Sequence, residues 1–260
     1  DAHLADIAQL LALARERGAR TLGICNALES SLARLCGHTI YTHAGPEISV
    51  ASTKAFTTQL AVLYLFAVGL GRTRGALSER DAAHKLLELV RVPVLMEEWL
   101  AQAESLRTQA IALRHFEHYL FIGRWVDYPV ALEGALKLKE ISYIHAEGYP
   151  AGEMKHGPIA LLDDKLVVVA LAMRNRVSDK MLSNIQEARA RGARIVAVGT
   201  EDDATIPPLA DAFVGLPTID EELGPLLSVL PMQLLAYYTA DLRGTDVDQP
   251  RNLAKSVTVE

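Results

Sequence analysis

Two hydrophobic periods alternate along the chain. Apolar residues recur at helical spacing over residues 4–17, 52–70, 129–145, 178–192 and 226–242. Between these segments lie short, nearly continuous apolar runs at 22–25, 39–41, 118–123, 165–171, 195–199 and 212–216. Apolar runs of this length, alternating with helical segments along much of the chain, predict strands of a parallel sheet covered by helices on both faces. In the helix over 129–145 the residues expected to face inward are Leu132, Ala135, Leu136 and Leu138. Ser52 and Ser178 are placed to cap the helices that follow them. The longest apolar stretch, residues 60–70, is shorter than a bilayer span and reads as a buried helix. Residues 78–115 carry helical spacing and no strand signal, and read as a connector.

A repeat organises these elements. Ala14-Arg15-Glu16-Arg17-Gly18-Ala19-Arg20 precedes the apolar run at Leu22, and Ala188-Arg189-Ala190-Arg191-Gly192-Ala193-Arg194 precedes the run at Ile195. Each reads as the last turn of an amphipathic helix, a glycine that ends it, and a buried strand. Two such units far apart imply two related α/β halves. The second half has two strands ahead of its repeat unit. The counterparts of those strands in the first half would lie upstream of residue 1, so the chain is expected to begin inside its first domain. The absence of an initial Met agrees with a fragment, a processed chain or an excised domain.

Composition narrows the function classes. Half of the 260 residues are hydrophobic and 22% are charged, which is globular usage. A net charge of -6 argues against nucleic acid or an anionic membrane as the main partner. It leaves room for a small anion, since a helix N-terminus binds phosphate whatever the net charge. No basic segment precedes an apolar run at the start, so no signal peptide is expected. Cys25 and Cys36 form neither a disulfide framework nor a metal spacing; they read as small buried residues and fit a cytoplasmic location. Asp163-Asp164 and Glu201-Asp202-Asp203 read as turn residues rather than metal ligands, and no nucleotide-binding fingerprint is present. No metal or organic cofactor is expected.

Four motifs carry more specific information. Residues 44–59 read Ala-Gly-Pro-Glu-Ile-Ser-Val-Ala-Ser-Thr-Lys-Ala-Phe-Thr-Thr-Gln, and residues 128–143 read Tyr-Pro-Val-Ala-Leu-Glu-Gly-Ala-Leu-Lys-Leu-Lys-Glu-Ile-Ser-Tyr. Residues 153–158 read Glu-Met-Lys-His-Gly-Pro, and the chain ends in Asp-Gln-Pro-Arg-Asn-Leu-Ala-Lys-Ser-Val-Thr-Val-Glu. In this order they resemble the paired sugar-isomerase (SIS) domains of the glutamine–fructose-6-phosphate aminotransferase family, over essentially the whole chain. The resemblance implies an α/β protein of two SIS-type, flavodoxin-like, three-layer parallel domains with an extended C-terminal tail. The expected parts are an incomplete first domain (1–77), the helical connector (78–115), a second domain (116–243) and the tail (244–260). Two departures stand out: the family's Ser-Gln-Ser-Gly phosphate loop has no match near Asp1-Ala2-His3-Leu4, and no stretch of these 260 residues resembles the family's glutaminase domain.

Ketose–aldose isomerisation needs a base beside two adjacent carbons and a cation or donor near the developing oxyanion. Lys137 and Glu140, three residues apart on one predicted helix, can face one cleft. Read alone they are an ordinary surface pair; the resemblance implies that Glu140 is the isomerase base and Lys137 its partner in charge handling. His156 lies in a rigid Lys-His-Gly-Pro turn, and an imidazole is the side chain suited to shuttling protons near neutral pH. The resemblance implies that it opens the sugar ring and is donated to the neighbouring subunit of a homodimer. Lys255, near the chain end, would by itself be a mobile surface charge. By resemblance it forms a Schiff base with the ketose carbonyl, which an amine of lowered pKa does readily, on a tail that also acts as a lid. Val50, Ala51, Ser52 and Ala254 are implied to line the sugar site. The implied substrate is fructose 6-phosphate, converted with ammonia to glucosamine 6-phosphate for amino-sugar biosynthesis. Two alternatives remain at this point: a non-catalytic SIS module that senses sugar phosphates, and a truncated inactive fragment.

Overall fold

A computed structural model describes residues 2–254, and Lys255 and the residues after it lie outside the described part. The chain forms two compact units, one of residues up to Ala82 together with the segment from Asp248, the other Ala83–Val247.

The first unit contains helix α1 (Ala2–Glu16), strand β1 (Leu22–Cys25), helix α2 (Ser31–Leu35), strand β2 (His38–Tyr41) and helix α3 (Lys54–Thr73). Strands β1 and β2 pair in parallel, Leu22 opposite His38 and Cys25 opposite Tyr41. Helix α4 (Glu79–Leu100) starts in this unit and continues in the second.

The second unit holds helix α5 (Ser105–Leu113), β3 (His118–Gly123), α6 (Asp127–Ser142), β4 (His145–Pro150), β5 (Leu166–Ala172), α7 (Ser178–Arg189), β6 (Arg194–Thr200), β7 (Ala212–Leu216) and α8 (Gly224–Arg243). Its five strands are all parallel, in the order β4-β3-β5-β6-β7. That is a doubly wound, flavodoxin-like order, as the sequence predicts. Parallel strands need helical crossovers, and those helices cover both faces of the sheet. Residues Leu120, Ile122, Val168, Ala170, Ile195 and Ala197 therefore pack on Met181, Ile185 and Ala188 of α7. The alternate residues lie on the opposite side, where α5, α6 and α8 pack.

The repeat is structural as well as sequential. Leu22 faces His38 in one unit and Val196 faces Ala212 in the other. Both partners are displaced by the same number of residues that separates Arg17 from Arg191. Gly18 and Gly192 take left-handed backbone angles (φ 75° and 87°) just after α1 and α7, where a side chain would be strained.

Several expectations are corrected. Leu132 and Leu136 do not face inward; they are 43% and 41% exposed. The buried stripe of α6 runs instead through Val130, Ala131, Gly134, Ala135, Lys137, Leu138 and Ile141, because small residues let the helix settle closely. Residues 60–70 are not a buried helix: α3 runs Lys54–Thr73, and among its residues only Val68 is buried. By length and composition α3 could span a bilayer. Strand β4 gave no sequence signal because its residues, His-Ala-Glu-Gly-Tyr-Pro, form no apolar run, and His145 and Glu147 are exposed. Ser178 is the first residue of α7 rather than its cap, and its hydroxyl exchanges hydrogen bonds with the backbone of Asn175.

Candidate active site

Helix α6 carries a buried cluster of charged side chains. Glu133, Lys137 and Glu140 share one face because they are four and three residues apart. Lys137 Nζ lies 2.5 Å from Glu140 Oε2 and 3.6 Å from Glu133 Oε1. The Lys137 side chain is 4% exposed and Glu140 19%. A cation withdrawn from water to this extent needs anionic partners, and here it has two. The cluster carries one net negative charge when all three groups are ionised. It can present a carboxylate to a substrate while an ammonium waits beside it, which is the requirement for moving a proton next to a developing oxyanion. Sequence reading missed Glu133, although its four-residue spacing to Lys137 was a usable signal.

The fold holds α6 rigidly. Gly134 sits where a Cβ would come within 2.9 Å of Phe121 on β3 and 3.0 Å of Met232 on α8, so only glycine permits this approach. At the other end, Thr245 Oγ1 donates to Ile141 O at 2.6 Å and to Ala240 O at 3.1 Å, tying the ends of α6 and α8 together. In the first turn, Asp127 is buried between α6 and the Met173–Asn175 segment. Burial pushes its carboxyl from the ordinary 3.8 to about 7, against the opposing hydrogen bonds from Met173 N–H and Asn175 Nδ2. Its Oδ1 is buried without a hydrogen-bond partner. Sequence reading did not single out Asp127, since one acid in a first turn is the usual dipole complement.

His156 ends a 3-10 turn, Ala151–His156, beyond β4. Its side chain is 76% exposed, and its Nε2 lies 3.8 Å from Glu153 Oε2 on the same turn. The turn is anchored from below. Lys155 Nζ pairs with Glu187 of α7 at 2.7 Å, and Asn184 bridges Glu187 and Arg124. The Lys155 bond holds the Glu187 carboxyl below the usual range. The imidazole is therefore presented to solvent on a fixed base.

Val50, Ala51 and Ser52 belong to the first unit. Ala51 is buried, its N–H donates to Ser49 Oγ at 3.2 Å, and Val50 N–H donates to Asp248 O at 2.9 Å. The start of the C-terminal tail is thus hydrogen-bonded to the 50–52 corner. Ala254, further along the tail, is exposed. Ser52 does not cap α3. The N-cap position is Thr53, and the cap is supplied from a distance by Glu47, whose Oε1 accepts from Thr53 N–H at 2.8 Å and Ala55 N–H at 3.4 Å. A carboxylate reaching two amides at a helix N-terminus outcompetes a local hydroxyl. Asn26, just after β1, fixes the preceding loop: its Oδ1 accepts from Ala44 N–H and Thr42 Oγ1, and its Nδ2 donates to Gly45 O. Neither Glu47 nor Asn26 was singled out from the sequence. Lys255 falls outside the described residues. Among the described residues, no group of three or more His, Cys, Asp or Glu side chains is arranged to hold a metal ion.

Comparison with known proteins agrees with this architecture. The SIS domain family matches residues 2–69 and 112–242. A glutamine–fructose-6-phosphate aminotransferase (isomerizing) of Thermus thermophilus is 55% identical over 247 residues, covering 95% of this chain and 41% of the relative. That of Chlorobaculum tepidum is 50% identical over 98% of this chain and 42% of the relative. The chain spans about two fifths of the length of these curated relatives. The solved C-terminal domain of glucosamine-fructose-6-phosphate aminotransferase from Francisella tularensis superimposes with a TM-score of 0.88 at 38% identity, covering 94% of this chain and 69% of that one. With its doubly wound sheet, its repeated half and these relatives, the chain belongs to the SIS domain family, as a double-SIS homologue of the C-terminal isomerase portion of glutamine–fructose-6-phosphate aminotransferases.

Proposed function

We propose that the chain forms the isomerase portion of an enzyme that converts fructose 6-phosphate and ammonia to glucosamine 6-phosphate, in the cytoplasm, for amino-sugar biosynthesis. The observation that supports this most directly is Lys137 buried between Glu133 and Glu140 on α6. Lys255 forms the first imine at C2 with loss of water, and ammonia displaces the lysine by transimination. Glu140 then removes a proton from C1 of the ammonia-derived imine and returns it to C2, while the C1 hydroxyl gives up its proton as the C1 carbonyl forms. The ammonium of Lys137 offsets the charge on the C1 oxygen as that proton leaves. Glu133, 3.6 Å from the Lys137 ammonium, holds it in place. The Val50–Ser52 corner and Ala254 line the sugar, and Lys255 supplies the Schiff-base amine.

His156 has the properties of a residue donated to a second subunit: it is solvent-facing and held on a braced turn. Leu132, Leu136 and Leu161 are exposed on the same unit, which suits a homodimer contact. In this reading His156 opens the sugar ring in the partner's site.

The test is Glu140→Gln. It should bind fructose 6-phosphate like the unsubstituted chain but lose glucose 6-phosphate formation by about 10²–10⁴-fold, the usual contribution of a positioned acid–base group. Full isomerase activity in the variant would remove Glu140 from its role. Binding without turnover in the unsubstituted chain would instead make it a sugar-phosphate sensor. Borohydride should trap a substrate adduct on Lys255, and absence of the adduct would dismiss the Schiff base there.

A further inference from the structure

The first unit contains a pair of thiols that the proposed reaction does not use. Cys25 closes β1, and Cys36 ends the short helix α2; both are free and buried, 7% and 9% exposed. Gly23 and Cys25 are two residues apart on β1 and so face the same side of the sheet. A Cβ placed on Gly23 would lie 3.0 Å from Cys36 Sγ and 3.5 Å from Cys25 Sγ. Both sulfurs therefore crowd the one space that the missing glycine side chain leaves open. Cys36 is held through Cys36 N–H to Leu32 O, at the C-terminus of a five-residue helix, and is followed by Gly37. A helix end of this kind moves at small cost, and a disulfide needs its two Cβ atoms about 3.5–4.5 Å apart.

We propose that Cys25 and Cys36 form a redox-active dithiol that closes to an intrachain disulfide when a hydroperoxide oxidises it. One thiolate attacks the peroxide oxygen, giving a sulfenic acid and releasing water or an alcohol. The second sulfur then attacks the sulfenic sulfur, forms the S–S bond and expels water. The two thiol protons leave in those products, and the two electrons go to the peroxide. The consequence is local. Cys25 O accepts from Thr42 N–H at 2.9 Å, and the next residue, Asn26, holds Ala44 and Gly45. Drawing Cys25 toward Cys36 pulls on the loop that leads to Val50–Ser52. A link to sugar binding rests on the function proposed above; the disulfide itself does not.

The experiment treats the folded chain with hydrogen peroxide and maps its peptides without reduction. The expected result is one Cys25–Cys36 cross-linked peptide, loss of both titratable thiols, and their return with dithiothreitol. Amide exchange at Thr42 and Ala44 should accelerate in the oxidised form. Cys25→Ala and Cys36→Ala should each stop at a sulfenic acid on the remaining cysteine, trapped by dimedone. As a measure of proximity that needs no oxidation, phenylarsine oxide should bind the native chain and lose at least about tenfold in affinity in either variant, because two sulfurs must chelate one arsenic. Thiols that persist through oxidation, separate sulfinic acids, or cross-links only between chains would overturn the proposal. An arsenical that binds variants and native chain alike would do the same.

Discussion

The two copies of the helix–glycine–strand repeat share their sequence signal and their register but differ in burial. In the second unit, β6 lies between β5 and β7, and every residue from Ile195 to Thr200 is buried. Helix α8, which follows that repeat, is buried along most of its length. In the first unit, β1 pairs with β2 and alternates between more exposed and buried positions, and α3 exposes Leu63, Leu65, Phe66 and Leu70. Local sequence therefore decides what an element is and how it pairs. The layers around it decide how much it contributes to stability.

Three contrasts test that division, and the largest effect expected is one of pH. Asp127 has a folded-state pKa of about 7 against an ordinary 3.8, so folding favours its neutral form. The stability this gives the second unit is fully present below about pH 4 and is lost as the pH rises through 7. The loss is on the order of 4 kcal/mol if the shift is fully expressed. Asp127→Asn should flatten the slope over that window. Both tryptophans, Trp99 and Trp125, belong to the second unit, so their fluorescence during urea unfolding at several pH values reports it directly. An unchanged slope would mean that the carboxyl is solvated in the folded chain.

The next contrast sets α8 against α3. Leu227→Ala removes a fully buried side chain and should cost about 2–5 kcal/mol. Phe66→Ala on α3, where Phe66 is 42% exposed, should cost less than half as much. Equal losses in denaturant midpoint would show that α3 is covered in solution. The smallest effect concerns the repeat glycines. Gly192→Ala should destabilise by about 1 kcal/mol, through backbone strain alone, because its φ is 87° and the nearest atom to an added Cβ is 3.8 Å away. Gly18→Ala, with φ 75° and open space, should lower the helical signal of the first unit by a similar amount of strain. A neutral result at both would remove the glycine end from the shared motif.

Much of the fold was legible because it rests on period and punctuation. The strands at 118–123, 195–199 and 212–216 and the helices around Gly18 and Gly192 follow from unbroken apolar runs and left-handed glycines. Strand β4 was not legible, because His-Ala-Glu-Gly-Tyr-Pro contains no apolar run, with His145 and Glu147 exposed, whereas the other edge strand, β7, is apolar and was. Of the site, Lys137 and Glu140 were found through their shared helix face and a motif resemblance. Glu133 and Asp127 were not found, since their importance comes from burial rather than spacing. Glu47 capping α3 from six residues before Thr53 was equally hidden, because cap rules look at adjacent residues and this carboxylate arrives by a loop.

The order of residues was thus enough for the alternation of helix and strand, the repeated register and the family. Each of these depends on interactions between residues close in the chain or on a recurring pattern. Only the folded chain decided that Lys137 is enclosed by two carboxylates, that Asp127 is held largely neutral below pH 7, and that Val50 meets Asp248. It also decided that two ordinary cysteines share the space over Gly23. Desolvation and contact between distant residues set these properties, and neither is written in the order of residues along one element.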